Sequence, residues 1–462
     1  MKTLFGHLEK IHIIGIGGIG MSSIAEFLHA LGFKLSGSDI AFSPITAHLQ
    51  AMGIRVSIGH APQNIQDAQL IVYSSAVKAD NPELLEAIKR KIPVIKRPTM
   101  LREIVKLKHF SVGVAGTHGK TSTSSMLVSV LTEAHCDPTA IIGGIDKVHH
   151  SNSRIGNTPW LVLEADEYDR TFLYLEPAMG IVTSIDSDHL DIYKDINDIK
   201  EAFLQFCNCI PFWGCLVVCL DNPHIQKILP DISSTCLTYG FNSEADYIIT
   251  DYTFEHGESR FFLTYHNKKS GPFTLTLPGK HFVQNAAAVA TLGLWAEINV
   301  SDIQKGLKAY QGVERRFDVK GHVDSITFID DYAHHPTEIR QTLRATRDQW
   351  PDRKVLSIFQ PHLYTRTRDF AQDFAEALSE SDEVIVTDIY PAREKPLPGI
   401  SGRLIADAIQ KPVFYLEDIQ ALESILLPLL QPNMVVLAMG AGNLSSYFEK
   451  FVQKLLRKAH DI

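Results

Sequence analysis

Residues 110–125 read FSVGVAGTHGKTSTSS, an apolar run followed by a glycine-rich turn and a helix-like stretch. A buried strand, a tight turn and a helix in this order leave backbone N–H groups converging on the helix N-terminus, where the helix dipole favours an anion. Gly116 and Gly119 let the backbone curl closely, Lys120 can reach terminal phosphates, and the Thr121 hydroxyl can bind Mg²⁺. The stretch predicts an α/β fold with a phosphate site for ATP or GTP.

The loop is a variant of the usual phosphate-loop pattern. That pattern is Gly-x-x-x-x-Gly-Lys, and Gly113 lies one residue too far from Gly119 to satisfy it. A plain Gly/Ser turn with an exposed lysine is the alternative interpretation. The apolar run before the loop and the helical pattern after it favour the phosphate site.

A magnesium ion held by one hydroxyl needs carboxylates from neighbouring strand ends. Two acidic clusters follow apolar runs and could supply them, although each could also be a solvated loop. Parallel strands bind ligands at their carboxyl ends, which favours a metal site. The candidates are Glu164, Asp166, Glu167 and Asp169 in the first cluster, and Asp186, Asp188, His189 and Asp191 in the second.

The chain of 462 residues is too long for one hydrophobic core, and its strand and helix patterns fall into three successive blocks. We predict an α/β protein with a Rossmann-like domain at 1–107, a central ATP-binding domain at 108–313 and a Rossmann-like domain at 314–462. The central domain is expected to combine a parallel sheet with an antiparallel meander, since residues 245–279 alternate in polarity and contain turn residues.

A second glycine loop near the N-terminus satisfies the dinucleotide-binding fingerprint. Gly15, Gly17 and Gly20 follow an apolar run, and Asp39 lies about 20 residues further on. Taken alone, the loop predicts an NAD-dependent oxidoreductase. The motif reports only a diphosphate on a helix N-terminus, so a nucleotide-diphosphate substrate fits equally well.

Composition excludes several classes of protein. A net charge of −9 gives no basic surface for nucleic acid, and the longest apolar runs are far shorter than a membrane span. The N-terminal residues show no signal-peptide pattern, and the six cysteines show no CxxC pair, which favours reduced thiols over a zinc site. We therefore expect a cytoplasmic protein without nucleic-acid or membrane partners.

Several separated motifs together resemble the Mur ligase family, and within it the members that add L-alanine. They cover nearly the whole chain in the family's order. The matching stretches include HIIGIGGIGMSSIAEFL (12–28), AGTHGKTST (115–123), LEADEYDRTFL (163–173), IVTSIDSDHLDIY (181–193), PGKHFVQNAAA (278–288), GVERRFD (312–318), IDDYAHHPTEI (329–339), QPHLYTRT (360–367) and MGAGN (439–443).

The resemblance implies a ligase that uses ATP and Mg²⁺ to join L-alanine to UDP-N-acetylmuramate through an acyl phosphate. It implies a UDP-sugar site at Gly17, Gly18, Ile19, Gly20, Asp39, Ser74 and Ser75. It implies ATP contacts at Gly116, Thr117, His118, Gly119, Lys120, Thr121, Ser122, His281, Asn285, Arg316 and Asp331. Metal ligands would be Thr121, Glu164 and His189, and the amino-acid end would be lined by His334, His362 and Arg366.

Lys120, Arg316 and the metal ions would offset the negative charge of the two reacting anions, and His334 is the candidate to take a proton from the amine. A purely structural role for His334 is an open alternative. The implied catalytic set is Lys120, Glu164, His189, Arg316 and His334.

The chain differs from many alanine-adding members of the family at one position, and at another it differs from the sister ligases. Many alanine-adding members carry arginine where this chain has Leu363, so Arg366 is a candidate for that cationic contact. Phe203 stands where sister ligases carry a carbamylated lysine, so no carbamate is expected. The alternatives are a recycling ligase that attaches a peptide to the same nucleotide sugar, a nicotinamide oxidoreductase and a non-catalytic nucleotide sensor. A monomer or a weak homodimer is expected.

Overall fold

The computed structural model describes residues 5–148 and 151–460 of an α/β protein. The N-terminal region contains strands β1 (Lys10–Ile14), β2 (Lys34–Asp39), β3 (Arg55–Ile58), β4 (Leu70–Tyr73) and β5 (Val94–Lys96). Its helices are α1 (Ile19–Ala30), α2 (Pro44–Ala51), α3 (Pro82–Lys89) and α4 (Arg97–Lys106), with a 3₁₀ turn at Pro62–Ile65.

These strands form a parallel sheet in the order β3-β2-β1-β4-β5. The order reverses direction at β1, which is the topological switch point where Rossmann-like sheets bind ligands. The loop from β1 to α1 contains the first glycine motif. The predicted Rossmann-like character of this region is confirmed.

The middle of the chain contains β6 (Phe110–Ala115), β7 (Thr139–Asp146), β8 (Ser151–Arg154), β9 (Trp160–Glu164), β10 (Met179–Val182), β11 (Cys215–Cys219), β12 (Cys236–Gly240), β13 (Tyr247–Glu255), β14 (Glu258–Tyr265) and β15 (Lys268–Leu275). Its helices are α5 (Lys120–Glu133), α6 (Ile196–Asn208), α7 (Pro223–Ile228), α8 (Lys280–Trp295) and α9 (Val300–Ala309), with 3₁₀ turns at Tyr168–Tyr174 and Leu229–Asp231.

Strands β12-β11-β10-β6-β9-β7-β8 follow one another in a sheet whose pairs are parallel except β7–β8. Strand β6 lies between β9 and β10, so the glycine loop after β6 and the segments after β9 and β10 leave the same edge. Strands β13, β14 and β15 form the predicted antiparallel meander.

The C-terminal region contains β16 (Asp318–Val323), β17 (Ile326–Asp331), β18 (Lys354–Phe359), β19 (Glu383–Thr387), β20 (Val413–Leu416) and β21 (Met434–Met439). Its helices are α10 (Pro336–Gln349), α11 (Tyr364–Leu378), α12 (Arg403–Ala406), α13 (Leu422–Leu426) and α14 (Leu444–His460), with 3₁₀ turns at Ile419–Ala421 and Leu427–Leu429. The sheet order is β16-β17-β21-β18-β19-β20, parallel except for β16–β17.

Backbone contacts divide the chain into two compact units. Unit one contains the chain up to Ile185 together with Ile199–Tyr239 and Ala288–Gly306, and unit two contains Asp186–Asp198, Gly240–Ala287 and the chain from Leu307 on. The limits of these units differ from the predicted domain boundaries at 107 and 313. Those boundaries stay a prediction. Unit one holds the first two parallel sheets, and unit two holds the meander and the third sheet.

Strands β7 and β12, which lie inside a sheet, were not predicted, and neither were β3, β8 and β16, each of which lies at the edge of a sheet. Their sequences are RVSI, SNSR and DVKGHV, which lack the apolar runs that mark the central strands. An edge strand needs fewer apolar side chains because one side of its backbone stays open. No helix in the described part of the chain combines the length and apolar character needed to cross a membrane.

Candidate functional site

The phosphate loop of unit one connects β6 to α5 through backbone conformations that favour glycine. Gly116 has φ of 139° and Gly119 has φ of 83°, and a Cβ on Gly116 would lie 2.0 Å from the Thr183 hydroxyl oxygen. The Thr117 and His118 N–H groups donate to the Ser184 carbonyl and hydroxyl oxygens, both at 3.0 Å. The loop is therefore fixed against the end of β10.

Lys120 is the first residue of α5, and its ammonium group lies inside the loop. Its Nζ donates to the Gly116 carbonyl at 2.7 Å and to the Glu167 carboxylate at 2.6 Å. Burial lowers the pKa of Lys120, but the carboxylates of Glu167, Asp166 and Glu164 outweigh burial, and the pKa is raised. The loop thus holds a permanent positive charge at neutral pH.

Glu164 is the last residue of β9, and its carboxyl group faces α5. It accepts hydrogen bonds from the Gly143 N–H at 2.7 Å and from the Thr121 hydroxyl. Burial raises the pKa of Glu164 even though these two bonds and Lys120 oppose the shift. A hydroxyl and a buried carboxyl side by side form an oxygen donor set, which is the kind Mg²⁺ prefers.

The first glycine loop connects β1 to the N-terminus of α1. Gly15 has φ of 78°, and the Gly17 N–H donates to the Asp39 carboxylate at 2.8 Å. Gly18 is the N-cap residue and has no side-chain cap, so the first N–H groups of α1 carry no capping side chain. Ile19 and Gly20 begin the helix, while Ser74 and Ser75 follow the neighbouring strand β4.

In unit two, Asp188 and Arg366 form a buried ion pair with the Arg366 Nε 3.2 Å from the carboxylate. Burial by itself would raise the pKa of Asp188, but Arg366 and the surrounding histidines hold it well below its ordinary value. His189, the next residue, has φ of 53°. His362 lies against Arg366, with its Nδ1 3.5 Å from the Arg366 Nη1.

His334 lies in the same unit and has a defined orientation. Its Nδ1 is 2.9 Å from the Tyr332 carbonyl oxygen and 3.3 Å from a Glu338 carboxylate oxygen. Both atoms are acceptors, so Nδ1 carries the proton and Nε2 is left as an acceptor. Burial, with a contribution from Arg366, lowers the pKa of His334 to about 3. His334 is therefore neutral at physiological pH.

The predicted ATP contacts from the later part of the chain are brought together within unit two. Arg316 lies 3.6 Å from Glu338 and 5.1 Å from the centroid of the Tyr332 ring. The Asp331 carboxyl accepts the N–H groups of Phe317 and Ala333, each at 2.8 Å, and burial raises its pKa to about 6. These bonds tie Asp331 to the segment that contains Arg316.

His281 and Asn285 lie one helical turn apart on α8, and Asn285 is buried. Burial, together with Arg316, lowers the pKa of His281 to about 4. Burial, Arg366 and Arg393 lower the pKa of His362 to about 4 as well.

The structure adds partners that motif comparison had not assigned. Glu167 pairs with Lys120, and Glu338 contacts both Arg316 and His334. Glu167 belonged to an acidic cluster in the sequence. Glu338 lies in the first turn of α10, and its carboxylate accepts the N–H of His334, which precedes that helix, at 3.0 Å. Which of these charged side chains pair with one another is decided by the tertiary structure.

Phe203 and Leu363 are the two positions at which the sequence was compared with other members of the family, and both are buried. Phe203 lies on α6 and packs against Phe172 with ring centroids 5.1 Å apart, as an apolar side chain in a core does. Leu363 has φ of 69° and precedes α11, and its N–H donates to the Tyr390 carbonyl at 3.1 Å. Neither position offers a charge.

Comparison with protein families gives three matches in series. The Mur ligase family catalytic domain matches residues 10–109, the Mur ligase middle domain matches 114–293, and the Mur ligase glutamate ligase domain matches 315–442. Together they cover most of the chain.

Comparison with individual proteins agrees. The UDP-N-acetylmuramate–L-alanine ligase of Geotalea uraniireducens is 45% identical over 98% of this chain and 99% of its own length. The corresponding ligase of Geobacter sulfurreducens is 44% identical with the same coverage. The crystal structure of UDP-N-acetylmuramate-alanine ligase from Thermotoga maritima superposes with a TM-score of 0.82 at 30% identity, covering 97% of this chain and 99% of that one. A murein peptide ligase from Psychrobacter arcticus, 23% identical over 98% and 99% of the two chains, shares the fold with a TM-score of 0.69.

Proposed function

Because the chain belongs to the Mur ligase family, we propose that it joins L-alanine to the carboxylate of UDP-N-acetylmuramate and hydrolyses ATP to ADP and phosphate in doing so. The main support for this proposal is that relatives named UDP-N-acetylmuramate–L-alanine ligase are 41–45% identical to this chain over nearly its full length. The recycling peptide ligase shares the fold at lower identity, which makes it the second candidate.

The carboxylate must be activated before an amine can react with it, because the amine would otherwise have to displace an oxide ion, which is a very poor leaving group. A carboxylate oxygen of the sugar attacks the γ-phosphorus, the bond to the β–γ bridging oxygen breaks, and ADP leaves. The L-alanine amine then attacks the acyl carbon, phosphate leaves with the bond electrons, and the amide nitrogen loses a proton. Each step brings anions together, so cations contribute most where charge spreads in the transition state.

Lys120 and Arg316 supply cations from this chain in the proposal. Lys120 exchanges its contact with Glu167 for phosphate oxygens, since both partners are anionic oxygens and the ammonium keeps its charge. Arg316, which contacts Glu338 at 3.6 Å, offers a guanidinium for a second phosphate contact. Thr121, Glu164 and His189 would hold Mg²⁺, which when bound supplies further positive charge to phosphate oxygens.

His334 is proposed to accept the proton of the attacking amine at Nε2. A pKa of about 3 makes His334 a weak base, but it keeps Nε2 free of a proton at neutral pH. The amine becomes strongly acidic once it has attacked the acyl carbon, so a weak base suffices at that stage. The Tyr332 carbonyl and Glu338 hold Nδ1–H and orient the ring.

Binding of the two other substrates follows the positions carried over from the family. The UDP-sugar is proposed to bind at Gly17, Gly18, Ile19, Gly20, Asp39, Ser74 and Ser75, and L-alanine at His334, His362 and Arg366. The adenosine part of ATP is assigned to His281, Asn285 and Asp331, with the phosphates on Gly116, Thr117, His118, Gly119 and Ser122. Cytoplasmic location follows from the use of ATP, and a monomer or weak homodimer is expected in sedimentation.

The test is phosphate release measured with substrates omitted one at a time. We expect release only when ATP, Mg²⁺, UDP-N-acetylmuramate and L-alanine are all present. Release with a tripeptide but not with L-alanine would identify the recycling ligase. Thermal protection by NADH without protection by UDP-sugars would identify an oxidoreductase, and binding of ATP without turnover under any combination would identify a nucleotide sensor.

A further inference from the structure

Arg97 is a cation that the assignments above leave unused. It is the first residue of α4 and follows directly on β5, so it lies at the carboxyl edge of the first parallel sheet. Ligands bind at that edge in folds of this type. Arg97 therefore lies at the same edge of the sheet as the first glycine loop.

The Arg97 guanidinium packs against the first turn of α1. A Cβ built on Gly20 would lie 2.6 Å from the Cζ and Nη2 atoms of Arg97. Gly20 has no positive φ, so its backbone conformation does not require glycine. The missing side chain instead leaves room for the guanidinium beside the N–H groups of the helix N-terminus.

Arg97 is partly buried, and its side chain lacks the partners that a guanidinium in such a place normally has. Within residues 5–148 and 151–460, the Arg97 side chain forms no hydrogen bond and no ion pair, and its Nε is buried without a partner. Burial lowers the pKa of Arg97, while Asp166 and Glu164 oppose that shift from a distance beyond ion-pair contact. Buried charged groups are normally paired, which indicates that an anion completes the arrangement.

We infer that Arg97 binds an anionic oxygen of the nucleotide sugar, either on its diphosphate or on its carboxylate. The inference rests on the proposed function, because that function puts a UDP-sugar on the Gly17–Gly20 loop. Two features of unit one carry it. The guanidinium and the uncapped N-terminus of α1 bring positive charge to one place, and the buried Nε of Arg97 has no partner among the described residues.

The position of Arg97 gives the contact a role in orienting the substrate. Gly20 lies on one side of the guanidinium, and the acidic turn with Glu164 and Asp166 lies on another. An anion bound here would be held between the UDP-sugar loop and the end of β9. Arg97 would thus bind substrate, while the activation of the carboxylate is left to other groups.

The experiment is isothermal titration of the full chain with UDP, UDP-N-acetylglucosamine and UDP-N-acetylmuramate. Arg97→Met removes the charge and retains much of the apolar stem, and Arg97→Lys retains the charge. Arg102→Met is the matched control, since Arg102 lies on the same helix and pairs with Glu176 at the surface. Thermal unfolding of each variant checks that the fold is retained.

For Arg97→Met we expect the Kd of UDP-N-acetylmuramate to rise about tenfold or more, with a smaller rise for Arg97→Lys and none for Arg102→Met. Weaker binding of all three ligands would assign the contact to the diphosphate. Weaker binding of UDP-N-acetylmuramate alone would assign it to the carboxylate.

A second variant, Gly20→Ala, displaces the guanidinium without removing it, and we expect the same ligands to be weakened. Unchanged affinity for all three ligands in a folded Arg97→Met protein overturns the inference and leaves the proposed function intact. A wild-type protein that binds none of the UDP-sugars overturns both.

Discussion

The phosphate loop of unit one and the histidines of unit two are both buried, yet burial has opposite outcomes for their charges. Lys120 is surrounded by Glu164, Asp166 and Glu167, and its pKa is raised. Burial lowers the pKa values of His281, His334 and His362 to about 4, 3 and 4, with smaller contributions from arginines, although Glu338 opposes the shift at the first two.

The difference shows that the balance between desolvation and neighbouring charges decides whether a buried nitrogen is protonated. Desolvation disfavours a cation in both places. Three carboxylates outweigh it at Lys120, whereas Glu338, opposed by arginines, does not outweigh it at His281 and His334. Unit one therefore presents a fixed positive charge inside the loop that is proposed to bind phosphates. Unit two presents neutral nitrogens that can accept a proton, together with the separate charge of Arg316. The four substitutions below test this contrast, from the largest expected effect to the smallest.

Glu164→Ala should remove detectable Mg²⁺-dependent turnover. The substitution deletes the carboxyl beside Thr121 and with it the main oxygen donor for the metal. Phosphate release across a range of Mg²⁺ concentrations measures the effect. Glu176→Ala, which alters an exposed carboxylate paired with Arg102, should leave the rate unchanged. Near-normal activity of Glu164→Ala would show that the metal site is misplaced.

Lys120→Met should lower kcat/KM for ATP on the order of 10³-fold, because the only ammonium inside the loop is lost while Glu167 and Asp166 remain. Lys106→Met is the control, since Lys106 is exposed and pairs with Glu103 on its own helix. Steady-state kinetics of both variants decide the matter. A loss of less than tenfold in Lys120→Met would refute a fixed charge at the phosphates.

Arg316→Ala should lower kcat about 100-fold while weakening ATP binding far less, because its charge is most useful in the transition state. The comparison requires kcat from turnover and the Kd of ATP from titration. Arg340→Ala, a surface residue paired with Glu376, should change neither quantity. A raised KM with unchanged kcat would assign Arg316 to ground-state binding.

His334→Gln should lower kcat about tenfold or more and should also change how stability depends on pH. The folded pKa of about 3 lies below the ordinary 6.5, so the unfolded chain alone takes up this proton as pH falls below 6.5. Stability contributed by His334 is present above pH 6.5 and is lost as the pH falls towards 3.

The urea midpoint at pH 6.5 and at pH 5 measures that dependence. The loss of unfolding free energy on acidification should be smaller in His334→Gln by about 1 kcal/mol per pH unit. Asp331 titrates in both proteins, so the difference between them isolates His334. Equal slopes for His334→Gln and wild type would contradict a buried neutral histidine.

Sequence patterns predicted the central strands well because buried strands carry continuous apolar runs. Strands β6, β9 and β10 and both glycine loops lie where the patterns put them, and the predicted membership of the Mur ligase family is confirmed by family matches along the chain. Edge strands β3, β8 and β16 were not predicted, since their exposed sides tolerate polar residues. Strands β7 and β12 were also missed, although both lie inside the second sheet. The roles assigned to individual site residues stay predictions.

Within the site, the sequence could name Lys120 and Glu164 from local motifs but could not pair them with partners. Two acidic clusters offered several carboxylates, and only the fold selects Glu167 as the partner of Lys120. Arg97 shows the same limit, because no local motif reveals that its guanidinium fills the space left by Gly20.

The sequence by itself determined the order of strands, glycine loops and helices, since periodicity and glycine positions act over a few residues. Tertiary structure alone decided which charges meet, which polar groups lose water and hence which nitrogens are protonated. The physical reason is that pKa values and ion pairs depend on distances of a few ångströms between residues far apart in the chain. Lys120 with Glu167 and Arg366 with Asp188 are the clearest examples.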